Sequence, residues 1–148
     1  MFEKLNFPGY SFRLKNSENK VLIFDVVRKK FIRLTPEEWV RQHALHFLIQ
    51  HKNFPVSLLS VEKQILLNGR PKRYDIVAYT PAGDIRLIVE CKSPNIQISQ
   101  DTFDQIARYN LILDADYLMV TNGMRHYFCQ MDYSAKRYHF LPDIPVYK

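Results

Sequence analysis

Residues 73–94 read RYDIVAYTPAGDIRLIVECKSP, and the fold that we predict is built around a β-hairpin in this segment. Val, Ile, Tyr and Thr fill two arms, and residues 81–84 (PAGD) supply the chemistry of a tight turn. A β-hairpin with this loop places Asp75 directly opposite Glu90. Side chains two apart on a strand share a face, so Glu90 and Lys92 point the same way and Asp75 joins them.

Two carboxylates facing each other across a strand pair lie about 5 Å apart at Cβ and repel each other. A hard divalent cation bound through oxygen, with Lys92 beside it, would compensate that charge. The alternative is a solvated hairpin face on which Lys92 and Arg73 pair with the two acids. The apolar runs at residues 76–79 and 85–89 favour a central, buried hairpin, where unpaired charge is costly. The residues alone leave both interpretations open.

The composition of the chain predicts one folded domain spanning residues 1–148. Its 148 residues are 47% hydrophobic and 14% aromatic, which argues against disorder. The net charge of +6 is compatible with a polyanionic partner such as nucleic acid but does not identify one.

Neither a membrane span nor a disulfide framework is expected. No apolar run reaches the length of a membrane helix, and residues 1–10 lack a signal-peptide core. Cys91 and Cys129 are far apart and form no C-x-x-C pair, so neither zinc nor disulfides are indicated. We therefore expect a reduced, cytoplasmic location and no membrane partner.

Residues 35–38 (TPEE) predict the start of a helix that runs to about Gln50. Threonine suits the N-cap, proline suits the first helical position, and Glu38 follows three residues after the cap as the acid of a capping box. Three histidines in or after this helix are interpreted as surface or partly buried side chains: His43, His46 and His51.

The remaining periodicity predicts one more helix and several strands. The second helix covers residues 99–113, with Phe103, Ile106, Ala107 and Leu111 buried. Strands are predicted at residues 10–14, 21–27, 31–34, 61–67, 116–121, 125–131 and 138–141. The strand–helix–strand order after the hairpin implies a parallel pair with a right-handed crossover. The sum is an α/β fold in which a mixed central sheet is flanked by helices.

The motif made by Asp75, Glu90 and Lys92, D-(14 residues)-E-x-K, resembles that of the PD-(D/E)XK nuclease superfamily. Gln105-x-x-x-Tyr109 is similar to the Q-x-x-x-Y motif of its RecB-like branch. The resemblance is strongest to the N-terminal nuclease domain of type I restriction enzyme R subunits. It rests on TPEEWVRQ, the ECK triplet and the helix with Gln105, and covers about residues 21–128. Tyr74 stands where the superfamily motif has proline.

This resemblance implies a restriction-endonuclease-like fold and a nuclease that hydrolyses phosphodiester bonds of DNA with Mg²⁺, for which Mn²⁺ can substitute. Asp75 and Glu90, with the backbone carbonyl of Cys91, would bind the metal through oxygen. The metal would acidify a bound water and offset charge on the phosphoryl oxygens. Lys92 would orient the attacking water or stabilise the transition state.

Further roles follow from the same resemblance. Glu38 would complete the acidic cluster from the first helix, with Glu37 in its place if the helix phase differs. Gln105 would position Lys92 or the scissile phosphate. The DNA contacts expected are Arg73, Arg108 and Tyr109, with Lys72 beside them.

The chain ends at Lys148 without a helicase motor, so we expect a stand-alone relative of the R subunits. DNA is the expected partner, together with a homodimer and a restriction or repair complex. The alternative is a non-catalytic module that keeps the nuclease fold and binds nucleic acid or docks on a partner.

Overall fold

The computed structural model describes residues 2–111 and 113–148. These ranges contain the strands β1 (Leu14–Ser17), β2 (Lys20–Asp25), β3 (Lys30–Arg33), β4 (Leu59–Leu67), β5 (Arg70–Tyr79), β6 (Ile85–Cys91), β7 (Tyr117–Thr121), β8 (His126–Asp132) and β9 (Arg137–Leu141). They also contain the helices α1 (Pro36–Gln50) and α2 (Gln100–Asn110) and a short 3-10 turn at Val56–Leu58.

The central sheet has six strands in the order β4-β5-β6-β7-β8-β9. β6 and β7 are parallel, and the other neighbours are antiparallel. α2 connects the parallel pair, and β9 forms the predicted edge strand. The predicted mixed α/β sheet is confirmed. The first three strands differ from a simple continuation of it, because they form a separate antiparallel sheet.

The hairpin of β5 and β6 has the predicted register over three pairs: Ile76 with Val89, Val77 with Ile88, and Ala78 with Leu87. Residues 80–84 close it, and the backbone N–H of Asp84 donates to Thr80 Oγ1 at 3.1 Å. Both faces of this hairpin are covered. Ile76 and Val89 belong to the apolar cluster beneath α1, whereas Val77 and Ile88 belong to the cluster beneath α2.

α1 begins as predicted, with Thr35 Oγ1 accepting the backbone N–H of Glu38 at 3.1 Å. Val40, Ala44 and Leu48 have no exposed surface and form the buried face of α1. α2 likewise begins after a side-chain cap, Ser99, but ends at Asn110 rather than at residue 113.

The interpretation of the α1 histidines as surface or partly buried is wrong for two of the three. His43 is 6% exposed and His46 is 8% exposed, while His51 is exposed. The N-terminal segment covers them, because the ring centroid of Phe12 lies 4.8 Å from the ring centroid of each. Tyr10 and Phe12 therefore pack on α1 instead of starting the predicted strand, and β1 begins at Leu14.

Two further expectations concern membranes and cysteines. Among the helices in the described ranges, none has the length and apolar character needed to span a bilayer. Cys91 and Cys129 are both buried free thiols, so no disulfide joins them.

Gly123 tests how tightly the β7–β8 turn packs on the N-terminal segment. Its φ is +87°, and a Cβ would lie 2.9 Å from Leu5 Cδ2 and 3.1 Å from Val40 Cγ2. We expect Gly123→Ala to lower the free energy of unfolding by roughly 1–2 kcal/mol for the left-handed backbone. Overpacking should cost about 1–3 kcal/mol more. Urea unfolding at pH 7 measures the sum.

Gly83→Ala is the matched control, because Gly83 has φ +92° but nothing within 4 Å of a Cβ. Gly83→Ala should lower the free energy of unfolding only by the cost of the left-handed backbone. Equal losses for the two variants would contradict the close packing at Gly123.

Candidate active site

Asp75 lies where the regular pairing of β5 and β6 stops. Its Oδ2 accepts the backbone N–H of Cys91 at 2.7 Å, and its Oδ1 accepts a bond from Arg41 Nη2 at 2.8 Å. Tyr74, one residue earlier, belongs to the cluster beneath α2, while Asp75 contacts α1. The carboxylate of Asp75 is therefore held in place by one strand and one helix.

Glu90 is the most electrostatically perturbed carboxyl group of the site. Burial, followed by the negative charge of Asp75, raises its pKa to about 8, although the charges of Lys72 and Lys92 oppose the shift. Its Oε1 is buried and has no hydrogen-bond partner in the described part of the chain. Buried polar atoms without partners are rare in folded proteins, and each one calls for an explanation. A bound cation is one explanation.

Lys92 follows the end of β6, and its backbone N–H donates to Thr121 O at 2.8 Å. This bond continues the parallel pairing of β6 and β7 past Cys91. The pKa values of Glu90 and Glu37 are both raised, and the positive charge of Lys92 opposes the rise in each. The structure thus brings the ammonium group near both the hairpin and the first turn of α1.

Glu38 is 4% exposed, and neither of its oxygens is free of protein contacts. Oε1 accepts a bond from Arg41 Nη1 at 2.6 Å. Oε2 accepts bonds from Arg28 Nη2 at 2.9 Å and Gln42 Nε2 at 3.0 Å. The interpretation of Glu38 as a capping-box acid is wrong, because its carboxylate pairs with the buried Arg41 and the partly buried Arg28 instead.

Glu37, the neighbouring acid, is exposed, and the charge of Asp75 on the hairpin acts on it. Its pKa is raised by partial desolvation and then by the charge of Asp75, while Arg41 and Lys92 act in the opposite direction. Of the two glutamates that begin α1, Glu37 is therefore the one exposed beside Asp75 and Lys92.

Arg41 connects these acids and was missed by the sequence analysis. Its side chain is 5% exposed, and Nη2 also lies 3.3 Å from Glu37 Oε1 and 3.6 Å from Glu62 Oε1. Burial disfavours its charge, but the hydrogen bond to Asp75 and the charge of Glu38 raise its pKa well above the ordinary value. The spacing of Arg41 three and four residues after the α1 glutamates was the available signal.

A second arginine extends this group toward the N-terminal sheet. Arg28 Nε lies 2.8 Å from Asp25 Oδ2, and its Nη2 bonds Glu38. Burial alone would raise the pKa of Asp25, yet hydrogen bonds from Arg28 and Gln42 hold it below the ordinary value. Asp25 has no exposed surface. We call Asp25, Arg28, Glu38, Arg41 and Asp75 the buried ion network; Arg28 and Asp75 are its partly buried members.

The other predicted residues lie on α2 and β5. Gln105 is exposed, and none of the hydrogen bonds within residues 2–111 and 113–148 involves its side chain. Tyr109 is 40% exposed, and the Lys72 ammonium lies 4.1 Å from its ring centroid. Arg73 is exposed on β5. Arg108 is exposed and borders a groove with Lys136 and Arg137.

The donor set fits Mg²⁺ better than a softer metal. Within the described ranges no group of three or more His, Cys, Asp or Glu side chains is arranged around one metal position. Mg²⁺ does not need such a group, because it keeps several waters and takes one or two carboxylates. Burial raises the pKa of the Cys91 thiol, so the thiol is protonated and only the peptide group of Cys91 is suited to the site.

A comparison with family models gives a match over residues 36–145 to the family described as Type I restriction enzyme R protein N terminus. The match starts with α1, contains Asp75, Glu90 and Lys92, and extends past β9. The chain belongs to this family. The resemblance to the N-terminal domain of the R subunits is thereby confirmed. A search of curated proteins finds no match.

Membership of a restriction enzyme family associates this chain with nuclease activity and restriction–modification. The family match does not identify the ligands of a metal or the groups that act on a substrate. Those assignments depend on the geometry around Asp75 and Glu90.

The buried ion network predicts a large difference between two arginine substitutions. Arg41→Gln leaves Glu38 and Asp75 without their shared cation, and breaking a buried pair from one side typically costs about 3–5 kcal/mol. We expect a loss of that size in the free energy of unfolding, measured with urea at pH 7.

Arg86→Gln serves as its control, since Arg86 Nη1 lies 3.3 Å from Asp116 Oδ2 and both side chains are partly exposed. Exposed pairs contribute about 0–1 kcal/mol. Similar losses for the two variants would show that the network does not support the fold.

Proposed function

We propose that this chain is a metal-dependent DNA nuclease that hydrolyses phosphodiester bonds, with Mg²⁺ as cofactor and Mn²⁺ as a substitute. One observation carries the proposal: Glu90, with a pKa raised to about 8, has a buried oxygen beside Asp75 that has no hydrogen-bond partner among the described residues. A structural ion pair would have satisfied that oxygen. A site that binds a cation would leave it available.

Asp75 and Glu90 would bind the metal through their carboxylates, with the carbonyl of Cys91 as a third oxygen ligand. Asp75 is suited to this role because Arg41 and the Cys91 N–H fix its orientation, and each carboxylate oxygen keeps a further lone pair. When bound, the metal supplies an acidified water and positive charge next to the phosphoryl oxygens.

Lys92 would hold the attacking water or stabilise the charge that develops on the phosphate. Glu37 and Glu90 both lie close enough to be affected by its charge. The ammonium group of Lys92 offers three N–H donors, so we assign it the role of a hydrogen-bond donor and not that of a general base.

We assign different roles to the two acids in the first turn of α1. Glu38 acts as a positioning residue, because it fixes Arg41, which in turn fixes Asp75. Glu37 is the carboxylate that completes the acidic cluster toward solvent. Gln105 keeps its proposed role of positioning Lys92 or the scissile phosphate from the middle of α2.

DNA is the proposed substrate, with Arg73, Arg108 and Tyr109 as contacts. All three are exposed, and the net charge of +6 favours a polyanion. The family description, a restriction enzyme R protein N terminus, supports a restriction complex as the context of the proposed activity. A homodimer and a cytoplasmic location remain part of the proposal.

Metal binding should depend on pH through Glu90. Its folded-state pKa of about 8 exceeds the ordinary 4.5, so without metal the stability should fall as pH rises from about 5 to about 8. A cation must displace the Glu90 proton below pH 8, which costs up to about tenfold in affinity per pH unit. We expect Mg²⁺ to raise the melting temperature more at pH 8.5 than at pH 6.

Glu90→Gln should abolish the Mg²⁺-induced rise at both pH values, because an amide is a much weaker ligand. Asp84→Asn, which changes an exposed loop carboxylate, is the matched control and should keep the rise. A rise of equal size at both pH values in all three proteins would exclude Glu90 as a ligand.

Cleavage of DNA tests the proposal itself. We expect Mg²⁺-dependent cleavage that EDTA stops, and its loss in Asp75→Ala and Glu90→Gln. Lys92→Ala should lower the rate by about a hundredfold or more. Linear, circular, single-stranded and branched DNA should be compared, with gel analysis of the products.

The two α1 acids provide an internal control. Glu37→Gln should lower cleavage with little loss of stability, whereas Glu38→Gln should lower stability because its carboxylate is buried between arginines. Full cleavage by Asp75→Ala, Glu90→Gln and Lys92→Ala would disprove the mechanism.

The alternative, a non-catalytic module that binds nucleic acid, is favoured by one observation. Both oxygens of Asp75 already have protein partners, so that carboxylate is stable without a metal. This alternative predicts salt-sensitive DNA binding with no metal-dependent cleavage on any of the four substrates.

A further inference from the structure

The end of the β4–β5 hairpin carries positive charge without compensating acids. Residues 63–74 contain four basic side chains and no acidic one: Lys63, Arg70, Lys72 and Arg73. None of the ion pairs in the described part of the chain involves these four. The two strands remain paired out to Leu67 and Arg70, so the charges are carried on an ordered arm.

One side of this arm forms a concave surface with α2. We call it the hairpin groove; it has a volume of about 500 Å³ and is lined by Asn68, Arg70, Pro71, Lys72 and Tyr109. Arg70 and Lys72 are two residues apart on β5, so both side chains leave the same face about 6.6 Å apart. That spacing allows them to contact neighbouring phosphates of one strand.

Aromatic rings fix the lysine of the groove. The Lys72 ammonium lies 4.1 Å from the ring centroid of Tyr109 and 4.9 Å from that of Tyr74. Tyr74 is fully buried, whereas Tyr109 is 40% exposed. The groove therefore combines fixed positive charge with an accessible ring.

The hairpin groove also leads to the carboxylates. Tyr74 immediately precedes Asp75 on β5, and Lys72 lies three residues before Asp75. The Lys72 ammonium lies 4.9 Å from the ring centroid of Tyr74, so the groove extends to the residue next to Asp75. A ligand lying along Arg70 and Lys72 would therefore approach the candidate active site at one end.

We propose that the hairpin groove binds a single DNA strand and guides it to Asp75 and Glu90. Proteins that bind single strands combine a basic groove along the backbone with aromatic side chains on which bases stack. A duplex keeps its bases stacked inside and offers none to Tyr109. The guiding role rests on the proposed nuclease function, whereas the binding role does not.

Fluorescence anisotropy with a fluorescein-labelled 20-nucleotide oligothymidine, in EDTA, tests the binding role on the full chain. Arg70→Ala should reduce the salt dependence of log K by about 0.7, which is about fivefold in affinity near 0.1 M salt. Tyr109→Leu should weaken binding about tenfold, and Tyr109→Phe should retain it because the ring can still stack.

Arg33→Ala is the matched control, since Arg33 is an exposed arginine on β3 of the other sheet. Arg70→Ala and Tyr109→Leu binding as tightly as Arg33→Ala would overturn the proposal. Tighter binding of the wild-type protein to the matching duplex, or no binding to the oligonucleotide, would overturn it as well.

A parallel assay of Mg²⁺-dependent cleavage separates the two proposals. The expected binding pattern without cleavage supports the groove and removes the nuclease function. Cleavage with binding that none of the groove variants weakens leaves the nuclease function standing and removes the groove.

Discussion

The structure depends on one guanidinium group placed between two carboxylates from different elements. Arg41 on α1 bonds Glu38 in its own helix and Asp75 on β5, and Asp75 bonds the backbone of β6. Through Arg28 the same network reaches Asp25 on β2. Desolvating so many charges is costly, and hydrophobic replacements of buried pairs are often as stable. We infer that the network is kept because it fixes the direction of Asp75.

The carboxylates of Asp75 and Glu90 have different protein contacts although they are neighbours. Asp75 accepts bonds from an arginine and a peptide N–H, whereas Glu90 has a raised pKa and a buried oxygen without a partner among the described residues. A fully compensated pair would be a structural ion network and nothing more. A pair with one uncompensated member is stable with a proton at neutral pH and can exchange that proton for a cation.

Much of the fold could be predicted from local sequence patterns, because each pattern depends only on residues within one helix or one hairpin. The β-branched arms around residues 81–84 predicted the hairpin register, and Thr35 and Ser99 predicted where the helices begin. Helix spacing was a signal for the pairing of Glu38 with Arg41, but its pairing with Arg28 could not be predicted in this way. A capping box and an arginine pair both place glutamate three residues after the cap, and the contacts with Arg41 and Arg28 decide between them. The burial of His43 and His46 likewise depends on a distant segment that contains Phe12.

The candidate site could be predicted as far as side chains of β5 and β6 alternate between the two faces of the sheet. The regular pairing reaches Ile76 and Val89. Beyond this pair, the backbone N–H of Cys91 donates to the side chain of Asp75 instead of to the backbone of β5. This change turns Asp75 toward α1, while Tyr74 packs beneath α2 near Glu90. The acid pair therefore lies at the point where the sheet opens between its two helices. A buried interior would exclude a substrate there, and a fully solvated surface would not raise the pKa of Glu90, so the edge of the opened hairpin is where both requirements are met.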